Sequence, residues 1–234
     1  ATVLMTTTFP RAEAPGIVTL IGRLGGRIPV ATRTRIVRIN GTGRVRSVEI
    51  EQLDTGARRL VECDTVIVTG DWIPDSELAR AAALDLDPAT RGPIVDAALR
   101  SSADGVFAAG NVVHPVDTAD VAALDGRQVA EQVRGWLAGP TERAVGTRIT
   151  VEEPLRWITP QLRRATDPPP ARGHYLLWTD RFVRTPRVEV LQDGRRLAAR
   201  RLPWPAAPGR AFRVPAALLR DVHPEGGPVL VRLT

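Results

Sequence analysis

The feature that most limits how this chain can fold is a short apolar run, Thr65–Thr69, which ends at Gly70. A β-branched run of this length, bounded by glycine, is typical of a strand buried on both faces of a parallel sheet. Three alternating runs precede it, and the turns Asn40-Gly41 and Asp54-Thr55-Gly56 separate them. The order predicts a three-stranded meander that leads into a parallel sheet, with meander strands at residues 34–39, 45–51 and 58–63.

A second strand-like segment, Gly105–Ala109, consists of small and apolar residues and ends at Gly110-Asn111. Asp117–Asp120 then has the form of a capping box, and an apolar face repeats at helical spacing as far as the stop at Gly139-Pro140. A strand that ends in glycine before a helix N-terminus presents backbone N–H groups and the positive end of the helix dipole. This arrangement favours an anion or a carbonyl oxygen as ligand.

Two smaller elements are predicted between these segments. A helix begins after Asp75 or Ser76, either of which can serve as its N-cap. A brief strand follows at Pro93–Asp96. The first part of the chain therefore alternates strands and helices in the manner of an α/β fold.

Charge and proline divide the chain near residue 145. Residues 1–145 hold 16 Arg and 18 acidic residues, whereas residues 146–234 hold 16 Arg and only 8 acidic residues. The second part is punctuated by proline, and Asp193-Gly194 is a hairpin turn between alternating runs. We therefore predict two domains, 1–145 and 146–234, the second being a small basic β-sandwich or barrel. Its candidate strands are residues 147–151, 174–178, 187–192, 195–201, 210–214 and 228–233.

Composition excludes several classes of chemistry. All 32 basic residues are Arg, so the chain has no lysine for a Schiff base or a P-loop. The single cysteine, Cys63, excludes an intrachain disulfide and a cysteine-based metal cluster, and we predict no metal site. We expect a cytoplasmic protein without a membrane partner, since no run approaches the roughly 18 apolar residues of a membrane span. The arginine usage favours a coding bias over a nucleic-acid partner.

Two segments resemble motifs of the FAD-dependent pyridine-nucleotide oxidoreductases. Cys63–Gly70, followed by Pro74, is similar to the D-x-V-I-x-x-x-G-x-x-P stretch that closes the nicotinamide-nucleotide domain of that family. Gly105–Asn111, followed by Ala122–Ala130, is similar to its second FAD motif, a G-V-F-A-x-G-D strand before a helix that reads A-x-x-x-G-x-x-A-A. The resemblance implies that residues 1–145 are a partial FAD/NAD(P)-binding, Rossmann-like domain with a β-meander.

The resemblance also implies roles for the matched residues around the second motif. Asn111 occupies the position of an Asp that accepts hydrogen bonds from the ribityl hydroxyls of FAD, and Asn keeps this capacity without the charge. Gly110 would let the backbone approach the flavin pyrophosphate. Thr118, Ala119 and Asp120 would place helix N-terminal amides near the pyrimidine edge of the isoalloxazine, where they stabilise negative charge on the reduced ring.

Two further positions complete the expected site. Gly70 and Asp71 would border the nicotinamide nucleotide, so NAD(P) is a possible second cofactor beside FAD. His114 lies in the loop between Asn111 and the helix and is a candidate for proton transfer, with loop packing as the alternative. Catalytic residues are otherwise left open.

The chain departs from the family in what it lacks. It contains no G-x-G-x-x-G fingerprint and no C-x-x-C redox pair, whereas a complete family member has two glycine fingerprints before the region that is matched. We therefore expect this chain to be the C-terminal portion of a longer flavoprotein and not to be active alone. Its partner would be the upstream portion of the same polypeptide or a complementary subunit.

Two functions remain open at this point. The first is flavin-dependent oxidoreduction of a small molecule, in which hydride passes between NAD(P)H, or an amine or amino-acid donor, and FAD. The second is a non-catalytic scaffold or interaction module derived from a flavoprotein, whose basic β-domain binds an acidic partner.

Overall fold

The computed structural model describes residues 3–10, 28–69, 73–115, 119–139 and 144–234. The chain forms two compact units, Ala1–Asp71 and Trp72–Thr234. Its fold is mixed α/β with sheet predominating, which confirms the predicted class. The strands are β1 (Met5–Thr6), β2 (Val30–Ala31), β3 (Thr34–Asn40), β4 (Ser47–Gln52), β5 (Arg58–Glu62), β6 (Gly146–Val151), β7 (Leu155–Thr159), β8 (Leu162–Arg164), β9 (His174–Thr179), β10 (Arg187–Gln192), β11 (Arg195–Arg201), β12 (Phe212–Pro215) and β13 (Val229–Leu233); the helices are α1 (Glu77–Ala81) and α2 (Ala119–Leu137).

The first unit contains the predicted meander as an antiparallel sheet in the order β3–β4–β5. Gly43 and Gly56, in the two turns, have φ of +74° and +68°, the left-handed region that glycine enters without a steric penalty. Val48 and Ile50 of the central strand are buried. The short strands β1 and β2 form a separate parallel pair. The meander prediction is confirmed because its alternation and its turns are both local properties of the sequence.

The prediction of a buried parallel strand at residues 65–69 is wrong. These residues form no strand, and Ile67 and Val68 are 83% and 75% exposed. A strand buried on both faces needs neighbours that bind its backbone and cover its side chains. Among the strands that the structure describes, none pairs with this segment.

The second unit is built on two sheets that share one apolar core. One sheet has the order β11–β10–β13–β6–β8 and the other β12–β9–β7. Aliphatic and aromatic side chains from both sheets meet between them, including Val190, Val231, Leu177 and Phe212. This is the arrangement of a β-sandwich, one of the two predicted forms. The hairpin turn at Asp193-Gly194 is confirmed, whereas β7 and β8 were not predicted.

Helix α2 spans Ala119–Leu137, which confirms the prediction of a helix that ends before Gly139. Its apolar face is only partly covered, since Val121 is 3% exposed but Leu124 and Leu137 are 40% and 70% exposed. Helix α1 follows Ser76 as predicted. No helix in the described part of the chain is long and apolar enough to cross a membrane.

The strands predicted at residues 93–96 and 105–109 are wrong as strands. Each contributes one isolated bridge, Leu86 to Pro93 and Arg100 to Phe107. Side chains replace the missing ladder: Asp96 Oδ1 accepts from two backbone amides, those of Ala98 and Arg100, both at 3.0 Å. The segment is thus held in place by side-chain acceptors together with single backbone bonds, such as that from the Leu162 amide to the carbonyl of Val95 at 3.2 Å.

The domain boundary predicted near residue 145 lies inside the second compact unit. Aspartates before this position bind arginines after it, and one arginine before it binds an aspartate after it. The arginine excess of residues 146–234 is therefore partly matched by acids of the same unit. A domain division at 145 stays a prediction. The pairs are Arg148 with Asp87 at 2.6 Å, Arg164 with Asp96 at 3.1 Å, Arg172 with Asp125 at 3.1 Å and Arg100 with Asp167 at 2.7 Å.

Candidate functional site

The turn that follows the small-residue segment is the centre of the candidate site. Gly110–Val112 forms one 3₁₀ turn, and its carbonyl at Gly110 accepts from the amides of Val113 at 2.9 Å and His114 at 3.2 Å. We call residues Gly110–His114 the 110–114 turn. Gly110 has φ of +72°, and a Cβ added there would lie 3.4 Å from Cβ of Ala122 in α2. Glycine is therefore favoured by the backbone conformation, whereas the distance to Ala122 is that of an ordinary van der Waals contact.

The side chain of Asp125, in α2, binds the 110–114 turn. Its side chain is 1% exposed, and Oδ2 accepts from the Gly110 amide at 3.2 Å and is hydrogen-bonded to Nε2 of His114. Its other oxygen, Oδ1, accepts from Nη1 of Arg172 at 3.1 Å. One carboxylate thus joins three separate segments of the chain.

The electrostatics of this cluster favour ionised Asp125. Burial by itself raises the pKa of the carboxyl group, but three groups oppose it. The hydrogen bond and charge of His114, the charge of Arg172 and the Gly110 amide together bring the pKa of Asp125 below its usual value. Because an ionised carboxylate can only accept, Nε2 of His114 carries a proton.

Arg172 lies in the 3₁₀ turn Ala171–Gly173, just before β9. Its φ is +65°, a left-handed conformation that costs a non-glycine residue about 1–2 kcal/mol. Its Nη1 donates to the carbonyl of Val121 at 3.0 Å as well as to Asp125. The side-chain contacts with α2 therefore stabilise an otherwise unfavourable backbone conformation.

A second buried ionic cluster supports the segment that leads into the turn. Asp96 Oδ2 accepts from Nε of Arg100 at 2.8 Å and from Nε of Arg164 at 3.1 Å. Asp167 accepts from Nη2 of Arg100 at 2.7 Å. Burial, followed by the charge of Asp96, raises the pKa of Asp167. This cluster fixes residues 96–100 against β8 by paired, hydrogen-bonded charges.

Two cavities in the described part of the chain differ in size and position. A cavity of about 10 Å³ lies beside His114, Asp125, Arg172 and Thr159, and a space of this size holds no more than one water molecule. A cavity of about 450 Å³ lies on the meander of the first unit, with Ile50 and Gln52 among the residues that line it. Neither contains the 110–114 turn together with the start of α2.

The structure brings some of the predicted site residues together. Gly110, half-buried Asn111 and buried His114 share one turn, which packs on α2. Ala119 and Asp120 begin that helix and are exposed. Predictions for three other residues fall outside the described part of the chain: Thr118, Gly70 and Asp71.

Sequence reasoning missed Asp125 and Arg172. Asp125 lies four residues after buried Val121, on the same face of α2, so an acid on the apolar face was a usable indication. Arg172 is 47 residues away and carries no comparable pattern. Within the described residues, no group of three or more His, Cys, Asp or Glu side chains could hold a metal ion.

Comparison with known proteins gives one family match. Residues 24–126 match the family model described as pyridine nucleotide-disulphide oxidoreductase. Comparison with curated proteins finds no match. The matched region contains the meander, the 110–114 turn and the first part of α2.

Several solved structures are similar to part of this chain. A thioredoxin reductase from T. acidophilum is 26% identical, with a TM-score of 0.54 over 59% of this chain and 45% of that chain. One from Lactococcus lactis (FR conformation) has the same TM-score at 19% identity, over 58% and 45%. An FAD-dependent pyridine nucleotide-disulphide oxidoreductase from Desulfovibrio vulgaris is 18% identical over 75% and 42%, with a TM-score of 0.43, too low for an argument about fold. The chain spans less than half of the length of each.

Proposed function

We propose that this chain, whose residues 24–126 match the family model described as pyridine nucleotide-disulphide oxidoreductase, forms the C-terminal part of an FAD-dependent oxidoreductase. In the complete enzyme, bound FAD would supply hydride chemistry, with NAD(P)H or an amine or amino-acid compound as the proposed donor. The observation that carries the proposal is the 110–114 turn, packed on α2 and bound by the buried carboxylate of Asp125.

The geometry of this turn fits the edge of a flavin site. Gly110 is buried and has φ of +72°, the left-handed conformation that glycine enters without a steric penalty and that forms the sharp turn before α2. The exposed start of α2 at Ala119 and Asp120 offers the positive end of a helix dipole. When bound, FAD supplies the hydride chemistry, and the chain supplies orientation and electrostatic stabilisation.

Each predicted residue has a defined role in this proposal. Asn111 would hydrogen-bond the ribityl chain of FAD, and Gly110 would let the backbone approach the pyrophosphate region. The amides at Thr118, Ala119 and Asp120 face the pyrimidine edge of the ring system. His114 carries a proton on Nε2 and is the candidate for proton transfer. Two residues border the nicotinamide: Gly70 and Asp71.

A second polypeptide segment is needed to complete the site. The chain has no glycine fingerprint, and it spans less than half of the length of its structural neighbours. Ile67 and Val68 in the first unit, and Ile73 and Leu78 in the second, are each at least 69% exposed. Apolar side chains at this exposure support burial against another partner. We propose that the upstream portion of the same polypeptide, or a complementary subunit, supplies both the fingerprints and this cover.

The test is flavin uptake by the chain when it is completed by the fingerprint-bearing portion. The complete protein should show the absorbance of bound flavin, and Asn111→Asp should hold FAD at least as tightly as the original. Asn111→Leu removes the hydrogen-bonding group and should weaken FAD binding about tenfold, equivalent to about 1.4 kcal/mol. A complete protein that is colourless and takes up no added FAD contradicts the proposal.

A non-catalytic interaction role is the second candidate, and one observation favours it. Arg195, Arg200 and Arg201 are exposed on β11, which is the edge strand of the five-stranded sheet. Arginines on an edge also prevent sheet-to-sheet aggregation, so an acidic partner has to be shown directly. Binding of an acidic polymer by the whole chain, weakened by salt and by Arg200→Gln/Arg201→Gln, would support this role.

A further inference from the structure

We propose that Arg172 is a positioning residue for the 110–114 turn and acts on it through Asp125. The inference rests on the proposed function only where it takes this turn to be the flavin-binding one. Arg172 belongs to residues 146–234, which contain β6–β13 and which we call the β-rich part of the chain. The family match at residues 24–126 does not extend to this part. The β-rich part is then a component of the flavin site and not merely an appended module.

The first step of the argument is connectivity. Arg172 Nη1 donates to Oδ1 of Asp125, and the opposite oxygen of the same carboxylate binds the Gly110 amide and Nε2 of His114. The carboxylate plane is therefore fixed from both sides. If Arg172 is removed, only the turn itself restrains the orientation of Asp125.

The second step is charge. Asp125 is 1% exposed, and a buried carboxylate that loses its ion pair with Arg172 loses much of the compensation for its desolvation. Asp125 would then bind a proton more readily or rotate toward solvent. In either case its hydrogen bond with the Gly110 amide weakens, because a neutral or displaced acceptor is poorer.

The third step is strain. Arg172 keeps φ of +65° although glycine and asparagine adopt this conformation at lower cost. A second contact secures the same docking: Nε2 of Gln128, three residues beyond Asp125, donates to the carbonyls of Ala97 at 2.6 Å and Pro169 at 3.4 Å. The chain before Arg172 is thus bound to α2, and the arginine side chain extends from it to the carboxylate.

The decisive experiment measures amide hydrogen exchange at Gly110 in the 234-residue chain. Arg172→Gln should speed this exchange at least about tenfold, because the acceptor of the amide is no longer fixed. Arg172→Lys should restore part of the protection, since lysine keeps the charge without the planar fork. Arg172→Gly should also speed exchange at Gly110 even though glycine relieves the backbone conformation.

The matched control is Arg148→Gln. Arg148 binds Asp87 at 2.6 Å and also joins the β-rich part to the segment before residue 145, but it makes no bond to the 110–114 turn. This variant should lower the free energy of unfolding while leaving exchange at Gly110 within about twofold of the original. Equal effects of Arg148→Gln and Arg172→Gln on Gly110 would overturn the proposal, because both would then act only through stability.

Two further readouts keep the proposal testable if Arg172→Gln does not fold. The chain has three histidines, so imidazole ¹⁵N signals are easily assigned. Those of His114 should shift in Arg172→Lys and in Asp125→Asn, with His223 as the unchanged reference. Unchanged His114 signals in both variants would contradict the proposal.

The flavin measurement separates this inference from the proposed function. In the complete protein, Arg172→Gln should raise the Kd for FAD about tenfold, and Arg148→Gln should not. If the original complete protein takes up no FAD, the proposed function fails, while exchange at Gly110 still decides the positioning role. If FAD binds and both variants retain the same Kd, the positioning role fails alone.

Discussion

Gln161 and Val95 bind each other through a reciprocal pair of hydrogen bonds. The Val95 amide donates to Oε1 of Gln161 at 3.1 Å, and the Gln161 amide donates to the carbonyl of Val95 at 3.0 Å. Both residues are at most 1% exposed. This pair satisfies backbone groups that the predicted strand at residues 93–96 would have placed in a sheet, and it fixes the segment that leads to the 110–114 turn.

Gln161→Ala should therefore destabilise the protein strongly. The substitution leaves the buried Val95 amide without its acceptor, which costs about 1–3 kcal/mol. Chemical denaturation of the variant should show this loss as a lower midpoint at unchanged slope. Arg195→Gln, at an exposed hairpin position, is the control and should stay within about 0.5 kcal/mol of the original.

Two glycine substitutions should change the stability of the folded protein in opposite directions. Gly110→Ala should cost about 1–2 kcal/mol because its φ is +72°, a left-handed conformation that is unfavourable for alanine. Gly126 lies in α2, one turn beyond Ala122. Gly126→Ala should stabilise the protein by about 0.5–1 kcal/mol, since a Cβ there meets nothing within 4 Å. The midpoint of thermal unfolding, compared between the two variants and the original, measures this difference in stability. A stabilising Gly110→Ala would show that the turn is not constrained as described.

Two buried threonines provide a second pair of opposite outcomes. Oγ1 of Thr159 has no hydrogen-bond partner among the described residues, so Thr159→Val should be neutral or stabilise by up to about 1 kcal/mol. Oγ1 of Thr179 donates to the carbonyl of Arg181 at 3.0 Å. Thr179→Val should therefore destabilise by about 1 kcal/mol. Equal effects in denaturation would contradict the assigned difference in hydrogen bonding.

Asp125 should make stability depend on pH in the acid range. Its pKa in the folded state lies below the ordinary value of 3.8, so the folded protein binds this proton less readily than the unfolded chain does. Its contribution is complete above that ordinary value and is lost as the pH falls through the lower, folded-state value. The difference in unfolding free energy between the original and Asp125→Asn should be largest near neutral pH and should shrink toward low pH. A constant difference would contradict this assignment.

Asp167 should show the reverse dependence. Burial and the charge of Asp96 raise its pKa in the folded state, so the folded protein holds this proton more tightly than the unfolded chain does. Its contribution is complete below the ordinary pKa and decreases as the pH rises through the higher, folded-state value. With Asp167→Asn, the free energy of unfolding should therefore decrease less as the pH rises through that higher value. The measurement is unfolding free energy over a pH series, with Asp125→Asn as the comparison.

Elements whose determinants are local could be predicted from the sequence. The meander, α2 and the Asp193-Gly194 hairpin follow from periods of two and 3.6 residues and from turn residues. The strands expected at residues 65–69 and 93–96 failed because pairing depends on distant segments, which alternation does not specify. Ile67 lies in a strand-like run but is exposed and pairs with no strand that the structure describes. The amide of buried Val95 donates to the side chain of Gln161, where a strand would have offered a backbone carbonyl.

The candidate site could be located only in part. The glycine that ends a run of small residues identified Gly110 and its neighbours, because a left-handed turn requires that residue type. Asp125 and Arg172 form their bond across 47 residues and both belong to types that usually face solvent. Composition alone could not distinguish them from ordinary surface charges.

The arginine–aspartate pairs that cross residue 145 have a consequence for how this chain can be shortened or recombined. A cut there would separate Asp87 from Arg148, Asp125 from Arg172 and Asp167 from Arg100, and it would leave Asp96 with Arg100 alone of its two arginines. Exchanging the β-rich part for that of a relative would require all of these partners to be replaced together. Any change that separates residues 87–125 from residues 148–172 therefore breaks all four of these pairs at once.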